Sequence, residues 1–345
     1  MTSRQISSIE KLPPGSFSFV MATGIISTAL YIFHQNFLSW LLLAISLIGY
    51  FVLLILYVLK IIKFRERFVQ DGRSPGKSFG YFTIIAATNV LAARLILAHF
   101  ANFAMILWVI SLPMWLILTY LIPGVLILES RQESILKYVD GSWYLWVVAT
   151  ASVAVAAAVL TAPYHNLAQF LSVIAVSFWS IGVVLYLMLL GLATFKLLDA
   201  PVTIQGLAPT YWITMGATAI LTLAGSRILI MPLSVSILSP TKEVVSGITF
   251  MLWSYGTWWI PMLIVFGIWR HLIKKQPVAY EAGLWSMIFP LGMYATASEL
   301  FGDATHLDFM KTIASYEIWF GLLVWVISFF AMLFRAGKFQ FSKSN

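Results

Sequence analysis

Apolar runs of about twenty residues recur along this 345-residue chain, separated by short polar linkers, and that spacing constrains the fold more than any other feature. A helix must cover roughly 20 residues to cross a hydrocarbon core, and it must satisfy its own backbone because lipid offers no partners. Ten runs qualify, near residues 16–34, 37–60, 79–100, 102–128, 140–161, 166–194, 208–230, 243–270, 279–301 and 310–334. Hydrophobic residues make up 61% of the chain and charged ones only 10%, so lipid is the solvent for most of it. The expected architecture is an all-α integral membrane protein of ten transmembrane helices arranged as five helical hairpins. Residues 1–12 form an N-terminal segment, 13–336 the membrane domain and 337–345 a tail. The N-terminal stretch lacks the apolar core of a cleaved signal, so the first span is expected to persist.

Basic residues fix the expected topology. With the N-terminus in the cytoplasm, Lys and Arg collect in the inside linkers, from Arg4 and Lys11 through Lys60, Lys63, Arg65, Arg67, Arg73 and Lys77. Arg131, Lys137, Lys196, Arg270, Lys274, Lys275, Arg335, Lys338 and Lys343 continue the pattern. The other side keeps only Arg227, Lys242 and Lys311, while Arg94 lies within a span. This asymmetry is what the positive-inside rule requires, and it puts both termini in the cytoplasm of a multi-pass cell (plasma) membrane protein. The net charge of +8 is thus a topology signal, and no nucleic-acid partner is expected. The chain has no cysteine, which excludes disulfides, thiolate metal sites and thiol nucleophiles.

An internal repeat divides the spans into two kinds. Every odd span holds an Ala-Thr pair: Ala22-Thr23, Ala87-Thr88, Ala149-Thr150, Ala217-Thr218 and Ala295-Thr296. Seven residues before the threonine stand Ser16, Tyr81, Trp143, Tyr211 and Phe289, two turns back on the same face. Odd spans are rich in Gly, Ala, Ser and Thr; even spans are rich in Leu, Ile, Val and Trp. Small residues permit close helix approach or leave a lumen, and bulky ones face lipid. The reading is an inner five-helix pore ringed by five outer helices, with the lipid bilayer as its surroundings.

The opening Pro14-Gly-Ser-Phe-Ser-Phe-Val-Met-Ala-Thr-Gly24 and the ninth-span Trp285-Ser-Met-Ile-Phe-Pro-Leu-Gly292 resemble the tellurite-resistance/dicarboxylate transporter family. That family includes the bacterial tellurite-resistance protein TehA, plant slow-type anion channels, the yeast malic acid transporter and the yeast sulfite efflux pump. The resemblance covers roughly residues 12–336 and implies a pore through each protomer, a homotrimer and occlusion by a ninth-span phenylalanine. By motif position that residue is Phe289.

Read from the residues alone, Phe289 is either a packed aromatic or a ring at the bend made by Pro290, which deprives the Ser286 carbonyl of its helical amide. Thr23, Gly24, Thr88, Asn89, Thr150, Ser152, Thr218 and Thr296 are expected to line the conduit, where hydroxyl and amide groups replace part of an anion's water shell. The competing reading has each hydroxyl bonded to the carbonyl one turn back. Arg94 and Glu299 are the ionisable residues read as deepest in spans and should face protein or water. Arg94 lies about 120° round the helix from Thr88. Arg227 is placed to pair with Glu299. Arg94 or Arg227 is a candidate anion site, and Glu299 a candidate proton-coupling group. Tyr81, Trp143 and Tyr211 read as interfacial anchors. No catalytic motif is present, and neither a cofactor nor a metal is expected. The preferred activity is passage of small inorganic or dicarboxylate anions. A proton-coupled C4-dicarboxylate (malate-type) carrier, or a sulfite- or tellurite-related exporter, is the alternative; an intramembrane enzyme or receptor is the reading from another class.

Overall fold

The computed structural model describes residues 8–129, 133–199, 207–231, 238–277 and 280–341, with backbone alone at 238–239 and 336–341. Arg4, Arg131 and Lys343, which the sequence places on the basic side, lie outside the described residues. The ten long helices are α1 (Ser18–Ile32), α2 (Asn36–Lys63), α3 (Phe82–Leu97), α4 (Ala101–Leu128), α5 (Leu145–Leu160), α6 (Ala168–Asp199), α7 (Ile213–Leu229), α8 (Leu238–Ile268), α9 (Trp285–Thr305) and α10 (Asp308–Phe341). A short amphipathic helix, Arg65–Arg73, follows α2. No strand occurs among the described residues.

Among the described residues, nine of these segments are long and apolar enough to cross a membrane. The remaining one, α9, is a continuous 21-residue helix that carries Glu299 and Asp303 in its last two turns and falls short on apolarity. It also begins at Trp285, several residues later than the hydropathy run, because a 3₁₀ turn over Ala282–Leu284 precedes it.

The odd helices pack in a closed cycle, α1 on α3, α3 on α5, α5 on α7, α7 on α9 and α9 back on α1. Each even helix packs along the odd helix before it. Burial follows that division: 89% of the apolar window of α5 is buried, against 28% for α4. The small residues of the odd helices make this possible. A Cβ on Gly24 would stand 2.9 Å from Val90 of α3, and one on Gly216 would stand 2.7 Å from Pro290 of α9.

The turns between paired helices are short. His34, His99 and His306 each take a left-handed conformation just past the C-terminus of α1, α3 and α9. In each case the next amide, of Gln35, Phe100 or Leu307, bonds back to the carbonyl of Leu30, Leu95 or Gly302. These are helix-terminating caps that satisfy otherwise orphaned carbonyls, so the connecting histidines have a backbone role. No metal-binding cluster is present among the described residues.

Each odd helix is entered through a 3₁₀ turn, at Pro14–Phe17, Ser78–Tyr81, Gly141–Tyr144, Pro209–Trp212 and Ala282–Leu284. Successive turns touch one another and form a collar at the basic end of the molecule. Gly80 and Gly141 are required there. A Cβ on Gly141 would lie 2.0 Å from the Thr210 carbonyl oxygen, and one on Gly80 would lie 2.7 Å from the Gly15 nitrogen.

Candidate functional site

Two cavities are lined by residues from all five odd-helix repeats, one at each end of the ring. At the basic end, a vestibule of about 300 Å³ is bounded by Ser18, Gly80, Leu145, Thr210 and Ser286, with Lys11, Arg67, Lys77 and Asp71 at its rim. All five odd helices begin here, so the positive ends of their dipoles point into it. Asp71 is held by three cations: Lys60 at 2.8 Å, Lys77 at 3.2 Å and Arg67 at 3.9 Å. Lys60 is fully buried and also donates to the Leu12 carbonyl. The rim therefore keeps an excess of positive charge.

At the far end lies a throat of about 20 Å³, room for about one water molecule. Ile25 and Thr28 of α1, Asn89 and Ala93 of α3, Ser152 and Val155 of α5, Ile220 and Arg227 of α7, and Met293 and Thr296 of α9 are among its walls. Helical spacing connects the two cavities. On α9, Ser286 lines the vestibule, Met293 and Thr296 line the throat, and Phe289 lies between them at three- and four-residue steps. The same steps put Ala22 between Ser18 and Ile25, Ala149 between Leu145 and Ser152, Ala86 one turn before Asn89, and Ala217 one turn before Ile220. All five residues are buried.

The threonines go elsewhere, which corrects the expectation that they share this face. Thr23 bonds to the Phe19 carbonyl and receives the indole N–H of Trp325 from α10 at 3.0 Å. Thr88 pairs with the Tyr50 hydroxyl of α2 at 2.8 Å, and Thr150 accepts from Trp115 of α4 at 2.9 Å. Thr218 bonds to the Met215 carbonyl and lies against Gly256 of α8, where a Cβ would come within 2.3 Å of its hydroxyl. Gly24 packs against Val90. The hydroxyls of Thr23, Thr88 and Thr150 meet partners on the surrounding helices, as a buried hydroxyl requires, while that of Thr218 bonds within its own helix. Thr296 differs from the other threonines because it is not in register with them. It lies twelve residues after the 3₁₀ turn of its helix, whereas Thr23 lies six after its own.

Asn89, Ser152 and Thr296 do line the throat, yet their donors are engaged. Asn89 Nδ2 donates to the Ile85 carbonyl and to Ser152 Oγ, Ser152 donates to Ala149, and Thr296 to Gly292. Arg227 is the ionisable residue of the throat, and its buried Nε has no partner among the described residues. It forms no ion pair with Glu299, which has Lys311 and Asp303 as its electrostatic neighbours. Lys311 is itself paired with Asp303 at 2.6 Å.

Arg94 is fully buried away from the throat. Its Nε donates to Ser27, its Nη2 to Ser39, and its guanidinium lies 4.5 Å from the Tyr31 ring and 5.3 Å from that of Trp40. It ties α1, α2 and α3 together. Tyr81, Trp143 and Tyr211 stand in the collar: Tyr81 bonds to the Phe68 carbonyl, Trp143 stacks on Phe79 at 4.5 Å and Tyr211 meets Phe266 edge-on.

Sequence reasoning missed two things. One is the set of buried alanines, Ala22, Ala86, Ala149 and Ala217, that share the helical register of Phe289, because alanine carries no chemical signal of its own. The other is a set of aromatic staples from each even helix to the next odd one: Tyr50 to Thr88, Trp108 and Trp115 to α5, Trp179 to the Leu221 carbonyl, Trp253 to Ser298, and Trp325 to Thr23. The tryptophan richness of the even spans was the available clue.

Fold and cavities together define a multi-pass, all-helical membrane protein whose ring of helices holds a basic vestibule at one end and a narrow cationic throat at the other. The chain belongs to the SLAC1 family, described as voltage-dependent anion channel, whose model matches residues 11–333. An uncharacterised membrane protein of Mycobacterium tuberculosis is 41% identical over 149 residues, spanning 43% of this chain and 75% of the relative. An uncharacterised transporter of Methanocaldococcus jannaschii is 27% identical over 334 residues, covering 93% of this chain and 91% of its own. The sulfite efflux pump SSU1 of Arthroderma benhamiae is 21% identical over 353 residues, covering 95% and 92% respectively. The family is of channel and transporter type.

Proposed function

We propose that small anions cross the membrane along the axis of the five odd helices, and that Phe289 is the gate. Ten helices then cross the bilayer as five hairpins, within a domain spanning 13–336. The observation that carries the reading is the pair of cavities, each walled by all five repeats, with Phe289 between them on one helix face. Among alanines, one phenyl ring is enough to close a narrow path by bulk and by dewetting. Pro290 leaves the Ser286 carbonyl without a helical amide, which lowers the cost of bending α9 at the ring. The crossing of α9 despite its lower apolarity is supported by its place inside the ring, where it faces protein rather than lipid.

Charge supports anions over cations. Lys11, Arg67 and Lys77 and the five helix N-termini attract anions to the vestibule, and Arg227 offers a compensating charge in the throat. The basic end is cytoplasmic by the positive-inside rule, in the cell membrane, with both termini on that side. A homotrimer is the assembly the family resemblance favours. A second reading, export of sulfite or a related dianion, is favoured by the sulfite efflux pumps among the relatives. Saturable, pH-driven flux of sulfite or malate would favour that carrier. Non-saturating electrogenic flux favours a channel. The test of the gate is Phe289→Ala in proteoliposomes: anion conductance should rise several-fold, and unchanged currents with normal expression would overturn the assignment.

A further inference from the structure

A third cavity lies off the axis, at the basic end, between α8 on one side and α9 and α10 on the other. Its volume is about 530 Å³, far above that of the throat. Its body is apolar, with Leu263, Ile264, Phe266, Leu284 and Met287 in the walls, and its mouth carries Arg270, His271 and Arg335. Here α8 ends in a π turn, Trp269–Ile273, which contains Arg270. One carboxylate, Glu281, meets Arg270 at 3.0 Å, while a second amine of Arg270 donates to the Leu207 carbonyl. The buried Arg270 Nε has no partner among the described residues. Arg335 is exposed and donates to the Tyr280 carbonyl. Two guanidiniums against one carboxylate leave the mouth cationic.

We propose that this cleft binds one anionic phospholipid, with its phosphate on Arg270 and Arg335 and an acyl chain along Ile264 and Met287. The surrounding bilayer supplies a molecule with both halves: a phosphate for the two guanidiniums at the mouth, and a hydrocarbon chain for walls that a free anion would leave wet. Gly267 supports the assignment. It lines the cleft, and a Cβ there would meet nothing within 4 Å, so the wall is open where a side chain would otherwise intrude. The cleft also touches the first turn of α9 through Met287 and the 3₁₀ turn before it through Leu284, so its occupant bears on the helix that carries Phe289.

The test is native mass spectrometry of the purified full chain with phosphatidylglycerol and phosphatidylcholine of identical acyl chains in competition. The wild-type protein should retain phosphatidylglycerol roughly ten-fold over phosphatidylcholine, which offers the same phosphate but carries a choline cation that the two guanidiniums repel. Arg335→Gln, which leaves the Arg270–Glu281 pair intact, should reduce that preference, and Arg270→Gln with Arg335→Gln should abolish it. Gly267→Leu keeps every charge and improves helix propensity, so it should preserve melting temperature in lipid-free detergent while losing the bound lipid. Equal retention of both lipids by the wild type, or undiminished phosphatidylglycerol on Gly267→Leu, would overturn the proposal. So would an equal thermal shift from inorganic phosphate, which would mark a soluble-anion site, or a change in oligomeric mass on Gly267→Leu, which would mark a protein contact. Because the readout is lipid retention rather than flux, its outcome is separable from that of the conduction reading.

Discussion

Two buried arginines show how one residue type takes opposite roles according to its partners. Arg94 is enclosed by Ser27, Ser39, Tyr31 and Trp40, so its charge is offset by two hydrogen bonds and two ring faces within the α1–α3 bundle, with Nη1 left unpartnered among the described residues. Arg227 faces the throat with an unengaged Nε. Arg94→Ala should therefore lower stability by about 2 kcal/mol or more, measured by thermal unfolding in detergent, because it removes two hydrogen bonds that join three helices and leaves a cavity. Arg227→Gln should leave unfolding nearly unchanged and reduce anion flux several-fold in liposomes. If the two variants showed the reverse pattern, the division of roles would be wrong. In the sequence Arg94 was visible as a membrane-depth cation and Arg227 as one near the outer end of its span, yet the angular offset of Arg94 from Thr88 could not say what stood on that side. Its partners come from α1 and α2, which only packing brings close.

At the scale of elements, helix existence was legible and helix orientation was not. Apolar runs and basic linkers located the long helices, whereas the Ala-Thr repeat did not reveal that Thr23, Thr88 and Thr150 bond to outer helices. The pair marks where a hydroxyl meets an outer helix and where, one residue earlier in most repeats, an alanine can stand beside Phe289. An Ala-Thr dipeptide cannot reveal this, since adjacent residues on a helix point about 100° apart and either one can be the axial one. The collar of 3₁₀ turns predicts a sharp contrast between glycines. Gly141→Ala drives a methyl into the Thr210 carbonyl and should markedly lower the melting temperature, while Gly191→Ala on the exposed side of α6 should be neutral or slightly stabilising. Comparable melting shifts for the two variants would contradict the collar. Removing one staple should matter less: Trp325→Phe leaves Thr23 bonded to the Phe19 carbonyl and should cost about 1 kcal/mol in unfolding free energy.

For the whole molecule, the latch at Lys60 and Asp71 joins the N-terminal segment, α2 and the vestibule rim. Lys60 has no exposure, and Asp71 is nearly as enclosed. Asp71→Asn leaves a buried ammonium with a carbonyl and an amide in place of a carboxylate, so it should destabilise by about 3 kcal/mol. It also makes the rim one charge more positive, so flux entering from that end should become more salt-sensitive; loss of stability with no change in salt response would separate the latch from any steering role.

What the sequence determined by itself was the solvent, the approximate helix count, the side on which the basic linkers gather and the division into small-residue and bulky-residue helices. Each of these depends on composition within one segment, or on a sum along the chain, so no distant contact is needed to read it. Tertiary structure alone decided which face of each odd helix meets the axis, that Arg227 rather than Arg94 enters the throat, and that every even helix reaches forward to the next repeat. Those outcomes follow from rotation about a helix axis, a degree of freedom that hydropathy leaves open and that only the simultaneous packing of five neighbours removes.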